Sequence, residues 1–435
     1  MKKLDTAIVK LWGNIIGAVA WLDEQAYAVF EFDPDFLKKG LDVSPLHMGL
    51  EHARKSDGKF SFPALNKNTF LGLPGLLADA LPDKFGNNII DAWLARNGRD
   101  RASFSPVERL CYMGKRGVGA LEFEPSTIGR YDESVPIEVA ELVMLAQEIM
   151  HERKGLNVNL SGSKKEKADA ILDILRVGTS AGGARAKAVI AIDKNNRVMS
   201  GQAEATAAFD YWILKFDGVS DLEFGEAHSY GRIEYAYHLM AKAAGISMSE
   251  CRLLEENGRA HFMTKRFDRI NGKKLHLQSL CGIAHYDFNM AGDYSYEQAF
   301  TVMRSLRLSK AEASEQYRRM VFNIVARNLD DHTKNISFLM GPDGKWKLAP
   351  AYDVIYAHNP AGKWTNQHQM SVNGKRDNIS KEDLVTVGES ISLPKAEDII
   401  NEVITAVERW PEFAQEANVK KEIISDIKHH HRTDI

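Results

Sequence analysis

The hydrophobic positions in the first 32 residues follow the pattern of short β-strands. Apolar and β-branched residues dominate 8–12, 15–22 and 26–32, and polar residues with one glycine separate these runs. Runs of this kind, bounded by turn residues, are typical of antiparallel strands joined by tight turns. The pattern therefore predicts a β-meander at the start of the chain.

Turn and helix signals organise the residues that follow. Pro74 and Pro82 punctuate a helical stretch, and a glycine-spaced turn at 114–119 precedes the apolar run 120–123. We therefore expect a first subdomain to end near residue 125. Residues 137–150 place apolar side chains at helical spacing, and the composition of residues 162–167 predicts an exposed charged loop.

Between residues 177 and 216 a glycine-rich turn, a strand, a polar loop and a second strand are predicted. Residues 233–244 have the pattern of an amphipathic helix stopped by Gly245, and residues 260–267 predict another strand.

Helices dominate beyond that point. Ser309 and Glu312 have the spacing of a capping box, and apolar residues mark one face of the long helix that follows: Tyr317, Met320, Val321, Ile324 and Val325. The last helix is expected near residues 396–407.

This order, mostly β first and mostly α afterwards, predicts an α+β protein with two lobes and a cleft between them. A chain of 435 residues is too long for one simple core. We expect an N-terminal subdomain at residues 1–125, a second β-rich part at 126–268 and an all-helical C-terminal lobe at 269–435. Within that lobe one hairpin is predicted at residues 336–348.

Composition adds few constraints. The chain is 44% hydrophobic and 26% charged with a formal charge of -3, which indicates neither a general nucleic-acid binder nor a membrane-surface protein. Three scattered cysteines show no metal-ligand spacing and no disulfide framework. The first residues lack the apolar core of a signal peptide, and no run approaches the roughly 20 apolar residues of a membrane span. We expect a cytoplasmic protein, with residues 429–431, three histidines, at a solvated helix end.

The segment 327–335, with the sequence RNLDDHTKN, carries the candidate chemistry. Phosphoryl transfer needs a carboxylate that orients and deprotonates the attacking hydroxyl, together with oxygen ligands for Mg²⁺. In protein kinases an Asp and an Asn separated by four residues supply these groups. Asp330 and Asn335 have that spacing, and Asp331 is one residue too close. The spacing therefore favours Asp330 as the base.

The residues that follow support this interpretation. Two short strands with a tight turn at 341–344 lead to Asp353, and a hairpin between the catalytic loop and a second metal-binding Asp is the kinase arrangement. The alternative is that Asp330 and Asp331 cap a helix end and Asp353 lies in a solvated loop. The order of helix, loop, hairpin and Asp favours the functional interpretation.

Two further segments could bind phosphate. The small residues at 177–187 would let backbone N–H groups approach phosphate oxygens, and Arg185 and Lys187 add positive charge, although a plain turn is an equal alternative. Lys215 ends an apolar strand and resembles the strand lysine of kinases. It could instead be a sheet-edge lysine that reaches water. Glu234, early on the next predicted helix, is a candidate partner for it.

Together these segments resemble the HipA family of serine/threonine kinase toxins, and the likeness covers nearly the whole chain. The matching segments are the phosphate loop at 180–187, the R-F-D-R stretch of the lobe hinge at 264–269, the D-x-H-x-K-N segment at 330–335, the metal-binding segment at 348–353 and the N-terminal subdomain at 73–83 and 114–119. The resemblance implies a bilobal fold like that of protein kinases.

The resemblance also implies roles for individual residues. Asp330 is expected as the catalytic base, and Asn335 and Asp353 as ligands of Mg²⁺. The backbone of 265–267 would hold the adenine. The residues expected to contact ATP are Gly182, Gly183, Ala184, Arg185, Ala186, Lys187, Lys215, Lys265, Arg266, Phe267, His332, Thr333, Lys334, Asn335, Tyr352 and Asp353.

Regulation and partners follow from the resemblance as well. Ser180 falls where family members autophosphorylate, and a dianionic phosphate there would repel ATP. Family toxins phosphorylate an aminoacyl-tRNA synthetase, which causes growth arrest or persistence. A small helix-turn-helix antitoxin of HipB type normally binds toxin and operator, so DNA contact is expected only through that partner. The phosphate loop, Gly-Gly-Ala-Arg-Ala-Lys, and the charged loop at 162–167 depart from the family pattern and leave the target open.

Two other functions could use the same core. A small-molecule kinase would share Asp330, Asn335 and Asp353 but phosphorylate metabolites. A repressor subunit without catalytic activity would bind ATP or an antitoxin only. The complete Asp-Asn-Asp set and Lys215 argue against such a degenerate protein.

Overall fold

The computed structural model describes residues 3–82, 84–96, 98–127, 136–152, 178, 185–195, 197–201, 209–219 and 229–435. The chain divides into two compact units. The first comprises the described residues within 1–228, 254–277 and 341–344, and the second comprises 229–253, 278–340 and 345–435. The predicted segment 162–167, Ser180 and residues 182–184 lie outside the described residues.

The first unit begins with a five-stranded sheet. Its strands are β1 (Thr6–Leu11), β2 (Asn14–Leu22), β3 (Tyr27–Phe32), β4 (Lys59–Phe60) and β5 (Leu121–Glu124), in the order β4-β3-β2-β1-β5. All the neighbouring strands are antiparallel. Alternate residues of β1, namely Ala7, Val9 and Leu11, are buried, as expected for a strand with one face on a core. The predicted β-meander is confirmed.

Among the described residues of this unit, these helices accompany the sheet and its connections: α1 (Pro34–Lys38), α2 (Leu50–Lys55), α3 (Lys67–Phe70), α4 (Gly75–Ala78), α5 (Lys84–Arg96), α6 (Pro106–Met113) and α7 (Val139–Glu152). Helix α6 begins with a capping box in which the Ser105 side chain accepts from the Glu108 backbone N–H, while the Glu108 carboxylate accepts from the Ser105 backbone N–H. Helix α7 confirms the predicted helix at 137–150 to within two residues at each end.

A second antiparallel sheet contains β6 (Lys187–Asp193), β7 (Val198–Ser200), β8 (Phe209–Lys215), β9 (Cys251–Glu256) and β10 (Arg259–Lys265), in the order β7-β6-β8-β10-β9. Every residue of β6 is buried. Apolar side chains of β6 and β8 share one core with α5 and α7, centred on residues such as Trp93, Leu142, Ile190 and Trp212. A short hairpin of β11 (Arg269–Ile270) and β12 (Lys273–Lys274) follows.

An ion-pair cluster joins the end of β10 to the glycine turn at 117–119 within the first unit. Asp268 accepts from the Arg266 guanidinium at 2.9 and 2.7 Å, from Arg269 at 2.8 Å and from the Gly119 backbone N–H at 2.8 Å. Burial would raise the pKa of Asp268, but the two guanidinium groups and the N–H donors hold it well below its ordinary value. The cluster therefore fixes the R-F-D-R stretch to the glycine turn.

The second unit is predominantly helical, with a three-stranded sheet of β13 (His276–Ser279), β14 (Ser337–Met340) and β15 (Trp346–Leu348). The first two residues of β13 belong to the first unit, and the strand is part of the second unit from Gln278 onwards. The helices are α8 (Tyr230–Ala243), α9 (Leu280–Ala284), α10 (Tyr296–Ser305), α11 (Lys310–Val325), α12 (Lys381–Ser390), α13 (Ala396–Glu408), α14 (Trp410–Glu416) and α15 (Lys421–His430). The α+β class and the predicted hairpin of β14 and β15 are confirmed.

Helix α11 has the predicted capping box of Ser309 and Glu312. The predicted face is also correct, because Tyr317, Met320 and Val321 are fully buried. Tyr317 additionally donates its hydroxyl to the Leu384 carbonyl at 2.8 Å, which ties α11 to α12.

The end of the chain corrects two expectations. The helix at 396–407 is present as α13 but is not the last, because α14 and α15 follow it. The histidine run was expected to be solvated, yet His431 is half-buried against Trp410, with ring centroids 5.7 Å apart, and its Nε2 lies 2.9 Å from the Tyr237 hydroxyl. Burial lowers the pKa of His431 to about 3. Among the described helices, none combines the length and apolar content needed to cross a membrane.

Candidate functional site

Helix α11 positions the candidate catalytic loop, which begins directly after it. Arg327 adopts a left-handed backbone conformation with φ 58° and turns the chain out of the helix. The loop is then fastened to residue 357: the Ala357 N–H donates to the Arg327 carbonyl and the Leu329 N–H donates to the Ala357 carbonyl, both at 3.1 Å. Paired backbone bonds of this kind hold an irregular loop in one conformation.

The same helix also positions the segment that leads to Asp353. Glu312, besides its capping role, accepts from the Leu348 N–H at 2.9 Å, and the Arg319 guanidinium donates to the Ala349 carbonyl at 2.9 Å. Further along, the Ala351 N–H donates to the Ser247 carbonyl at 2.9 Å. One helix therefore fixes both parts of the candidate site in the second unit.

Asp330 and Asn335 are joined through the turn between them. A 3₁₀ turn at Thr333–Asn335 brings the Asn335 side chain back, so that its Nδ2 donates to the Asp330 backbone carbonyl at 2.7 Å. This bond uses the nitrogen of the amide and leaves its Oδ1 as the group that can bind a cation. The four-residue spacing seen in the sequence is thus the spacing that closes this turn.

The Asp330 carboxylate is 38% exposed. Its Oδ1 accepts from the Trp364 indole N–H at 2.6 Å and lies 3.8 Å from His332 Nε2. Burial raises the pKa of Asp330 above its ordinary value, and the negative charges of Asp353 and Asp331 act in the same direction, whereas His332 and the indole bond oppose them. A carboxylate with a raised pKa is a better proton acceptor, which suits a general base.

Asp331 has a different environment. Its side chain is 1% exposed and accepts three bonds: from the Tyr296 hydroxyl at 2.9 Å, from His368 Nδ1 at 2.8 Å and from the Gln369 N–H at 2.7 Å. Burial alone would raise the pKa of Asp331, but His368 and these donors hold it below its ordinary value. Asp331 is therefore occupied in holding the segment around residue 368 to the catalytic loop.

Asp353 has a backbone φ of 52°, in the left-handed region that residues with a side chain rarely adopt. Such conformations are often found at functional sites, where the surrounding structure holds them. The preceding Tyr352 has its hydroxyl hydrogen-bonded to Ser337 and to the Lys334 carbonyl. Asp331, Asn335 and Asp353 line one cavity of the second unit. The structure therefore brings the two predicted metal ligands to one cavity, and Asn335 also bonds to the backbone of the predicted base, Asp330.

The remaining predicted residues of this loop make aromatic and backbone contacts. Thr333 is buried and donates its hydroxyl to the Tyr286 carbonyl at 2.7 Å. Lys334 Nζ lies 4.8 Å from the centroid of the Phe288 ring, and the His332 ring lies 5.4 Å from that ring. Their predicted contacts with ATP stay predictions.

In the first unit the described residues among those predicted to bind phosphate lie on the second sheet or directly before its strand β6. Arg185 is half-buried and Ala186 is buried just before β6, where the Phe216 N–H donates to the Ala186 carbonyl at 3.0 Å. Lys187 and Lys215 are directly opposite each other on the antiparallel strands β6 and β8. Lys187 is 1% exposed, and Lys215 Nζ lies 5.7 Å from the centroid of the Phe262 ring. The sheet therefore places two ammonium-bearing side chains on one face.

The predicted hinge residues are also in the first unit. Lys265 pairs with Asp210 at 2.8 Å and lies 6.0 Å from the Trp212 ring centroid. The Arg266 N–H donates to the Tyr211 carbonyl at 2.8 Å, and its side chain belongs to the Asp268 cluster. Phe267 is half-buried. The predicted role of this backbone in holding adenine stays a prediction.

Sequence reasoning missed four residues around the catalytic loop, namely Tyr296, Trp364, His368 and Gln369. Three of them lie in the irregular segment between Asp353 and α12, where no periodic pattern marks a position as important. The only local signal was the concentration of aromatic and amide side chains at residues 364–369, with the sequence WTNQHQ.

Comparison with known families gives two matches. The HipA-like C-terminal domain matches residues 179–410, which is more than half of the chain, and the HipA N-terminal domain matches residues 7–124. The subdomain boundaries expected at residues 125 and 268 stay predictions.

Two curated relatives come from Sinorhizobium fredii. "Putative kinase Y4mE" is 27% identical over 27% of this chain and 30% of its own length, and "Putative kinase Y4dM" is 27% identical over 38% and 41%. The chain thus matches less than half the length of either relative.

Among solved structures, the HipA of Shewanella oneidensis, determined with HipB and operator DNA, superposes with a TM-score of 0.66 at 17% identity. The match covers 97% of this chain and 94% of that one. At this level of identity the likeness concerns the fold.

Proposed function

This chain belongs to the HipA family, and from that premise we propose that it is an ATP- and Mg²⁺-dependent serine/threonine protein kinase, the toxin of a toxin–antitoxin pair. The observation that supports the proposal most is the neighbourhood of Asp330, Asn335 and Asp353. It combines a partly exposed carboxylate with a raised pKa and two oxygen-bearing side chains that line one cavity.

In the proposed reaction Asp330 accepts the proton of the attacking hydroxyl, because its carboxylate is partly exposed and its raised pKa favours proton transfer. Asn335 and Asp353 would hold Mg²⁺. The residues fit that ion, because Asn335 Oδ1 is left as an acceptor by the bond from its Nδ2 and Asp353 adds a carboxylate. The ion, when bound, would neutralise charge on the phosphates.

The two opposed lysines support ATP binding by the first unit. Two ammonium groups on one face of a sheet provide positive charge that phosphate oxygens can bind. The phosphates of ATP would bind next to the ammonium groups of Lys187 and Lys215. We propose that the segment 182–187 and the backbone at 265–267 contribute to ATP binding.

We further propose that Ser180 is autophosphorylated and that the phosphate switches the kinase off by repelling ATP. The partner is proposed to be a helix-turn-helix antitoxin of HipB type, with DNA contact through that partner. The superposition on a HipA solved with HipB and operator DNA supports this idea. The proposed substrate is a translation-related protein such as an aminoacyl-tRNA synthetase, and the proposed location is the cytoplasm.

Replacing the base tests the proposal. Asp330→Asn keeps the shape of the side chain and its acceptor for the Trp364 indole but removes the proton acceptor, so phosphate transfer from labelled Mg-ATP should fall by roughly 10²- to 10⁴-fold. Asp398→Asn, an exposed carboxylate on α13, is the matched control and should transfer at the wild-type rate. Mass spectrometry of the same reactions reports on Ser180.

The acceptor decides between this proposal and the two alternatives. Label in lysate proteins, on serine or threonine, supports the protein kinase. Label confined to metabolites would support a small-molecule kinase instead. A third result would indicate a repressor subunit without catalysis. In that case the wild-type protein transfers no phosphate, and the wild-type protein and Asp330→Asn arrest growth equally strongly.

A further inference from the structure

The candidate base is held by a tryptophan from a distant segment. Trp364 lies 34 positions after Asp330, and its indole N–H donates to the Asp330 Oδ1 at 2.6 Å. Trp364 is only half-buried, and its ring packs edge-on near His332 with centroids 6.3 Å apart. Its N–H therefore reaches the carboxylate while part of the ring stays exposed to solvent.

We propose that Trp364 is a positioning residue for phosphate transfer, which fixes the rotation of the Asp330 carboxylate and presents Oδ2 to the acceptor hydroxyl. The terminal torsion of an Asp side chain is broad, so its two oxygens have no fixed directions unless a neighbour selects one. A short bond from an N–H to a charged oxygen makes that selection. The inference rests on the proposed function, because it assigns Trp364 a part in the reaction at Asp330.

Trp364 is in turn linked, through Gln369, to the carboxylate of Asp331. Gln369 donates its backbone N–H to Asp331 Oδ1 at 2.7 Å, and its side-chain amide donates to the Trp364 carbonyl. The bonds therefore run from Asp331 through Gln369 and Trp364 to Asp330 and close at the peptide bond between the two Asp residues. A closed set of bonds restricts each member more than a single contact does. The buried Asp331 thus anchors the segment that carries Trp364.

Trp364→Phe is the direct test, because it keeps an aromatic ring beside His332 and removes only the N–H donor and part of the ring. With the carboxylate free to rotate, kcat should fall about tenfold, since small misplacements of a catalytic group are costly. KM for ATP should stay within about twofold, because no ATP-binding group is changed. A bond that only stabilised the segment would leave kcat of the folded variant unchanged.

Trp410→Phe is the matched control. Trp410 is fully buried in α14 and donates its indole N–H to the Ile424 carbonyl at 3.1 Å, so the same chemical change removes an indole bond elsewhere in the second unit. This variant should lose thermal stability but keep the wild-type kcat at temperatures where it is folded. Equal losses of kcat in both variants would overturn the proposal, as would an unchanged or increased kcat in Trp364→Phe.

A spectroscopic signature tests the bond without relying on turnover. The chain has seven tryptophans, and the indole resonance missing from ¹⁵N-labelled Trp364→Phe identifies that of Trp364. The resonance should move strongly in Asp330→Ala, which removes the acceptor, and little in Asp398→Asn. If the Trp364 indole resonance keeps its chemical shift in Asp330→Ala, the hydrogen bond between Trp364 and Asp330 does not exist. Wild-type protein that transfers no phosphate would overturn the proposed function and this role with it, whereas active wild-type protein with an equally active Trp364→Phe would overturn this role alone.

Discussion

Asp331 and Asp330 are adjacent, yet replacing each by Asn should change the stability of the protein to very different extents. Asp331→Asn removes a buried charge that accepts three bonds and faces His368, so the free energy of unfolding should fall by about 3 kcal/mol. Asp330→Asn replaces a carboxylate that burial already disfavours and should change it by less than about 1 kcal/mol.

Urea denaturation of both variants measures this difference, and phosphate transfer below the unfolding transition completes the comparison. Asp330→Asn should be stable and inactive. An Asp331→Asn protein as stable as wild type, or an Asp330→Asn protein destabilised equally, would contradict the separate roles of the two carboxylates.

At the scale of single residues, the sequence predicted those site residues that lie in one local turn. Asp330 and Asn335 were found because a fixed spacing closes the bond from Asn335 Nδ2 to the Asp330 carbonyl. Trp364 and His368 could not be found, because their contacts join residues more than 30 positions apart through a segment without regular structure. Only the tertiary fold brings such partners together.

The cap of α12 offers a prediction at the scale of one element. Burial would raise the pKa of Asp383, but the Lys375 ammonium, the Ser380 donors and the Asn373 amide lower it to about 2. Because the folded-state pKa lies below the ordinary value, this stabilisation is complete above pH 4 and is lost as the pH falls towards 2.

Asp383→Asn should therefore lower the free energy of unfolding by about 1 to 2 kcal/mol at neutral pH and flatten the loss of stability between pH 4 and 2. Urea titrations across this range provide the measurement. Glu389→Gln, an exposed carboxylate on the same helix, should leave both quantities within about 0.5 kcal/mol of wild type. Parallel pH profiles for wild type and Asp383→Asn would show that the ionised cap contributes nothing.

Elements with strong periodicity or explicit caps were predicted well. The meander, α11 with its capping box and the hairpin of β14 and β15 lie where the sequence placed them. Helices α14 and α15 were missed because they are short and bury few side chains: α15 buries only Ile424 and Ile427 among its ten residues. Periodicity in such a helix is too brief to separate it from a polar tail.

At the scale of the whole molecule, order along the chain predicted the α+β class, whereas the boundaries expected at residues 125 and 268 stay predictions. The first unit takes in residues 254–277 and 341–344, far from its other members in sequence. Local patterns cannot predict such exchanges, because they depend on tertiary contacts such as those of the Asp268 cluster with the glycine turn.

Ligand binding gives the last prediction, since a ligand that binds only the folded protein stabilises it by mass action. Mg-ATP at about 100 times its Kd should add about 2.7 kcal/mol and raise the melting temperature by several degrees. The increment should shrink when EDTA replaces Mg²⁺, and in Asp353→Asn the difference between Mg²⁺ and EDTA should disappear, because one proposed ligand of the ion is gone. Asp398→Asn should respond like wild type. Equal melting shifts with Mg²⁺ and EDTA in the wild-type protein would show that ATP binds without the ion and would remove Asp353 from its proposed role.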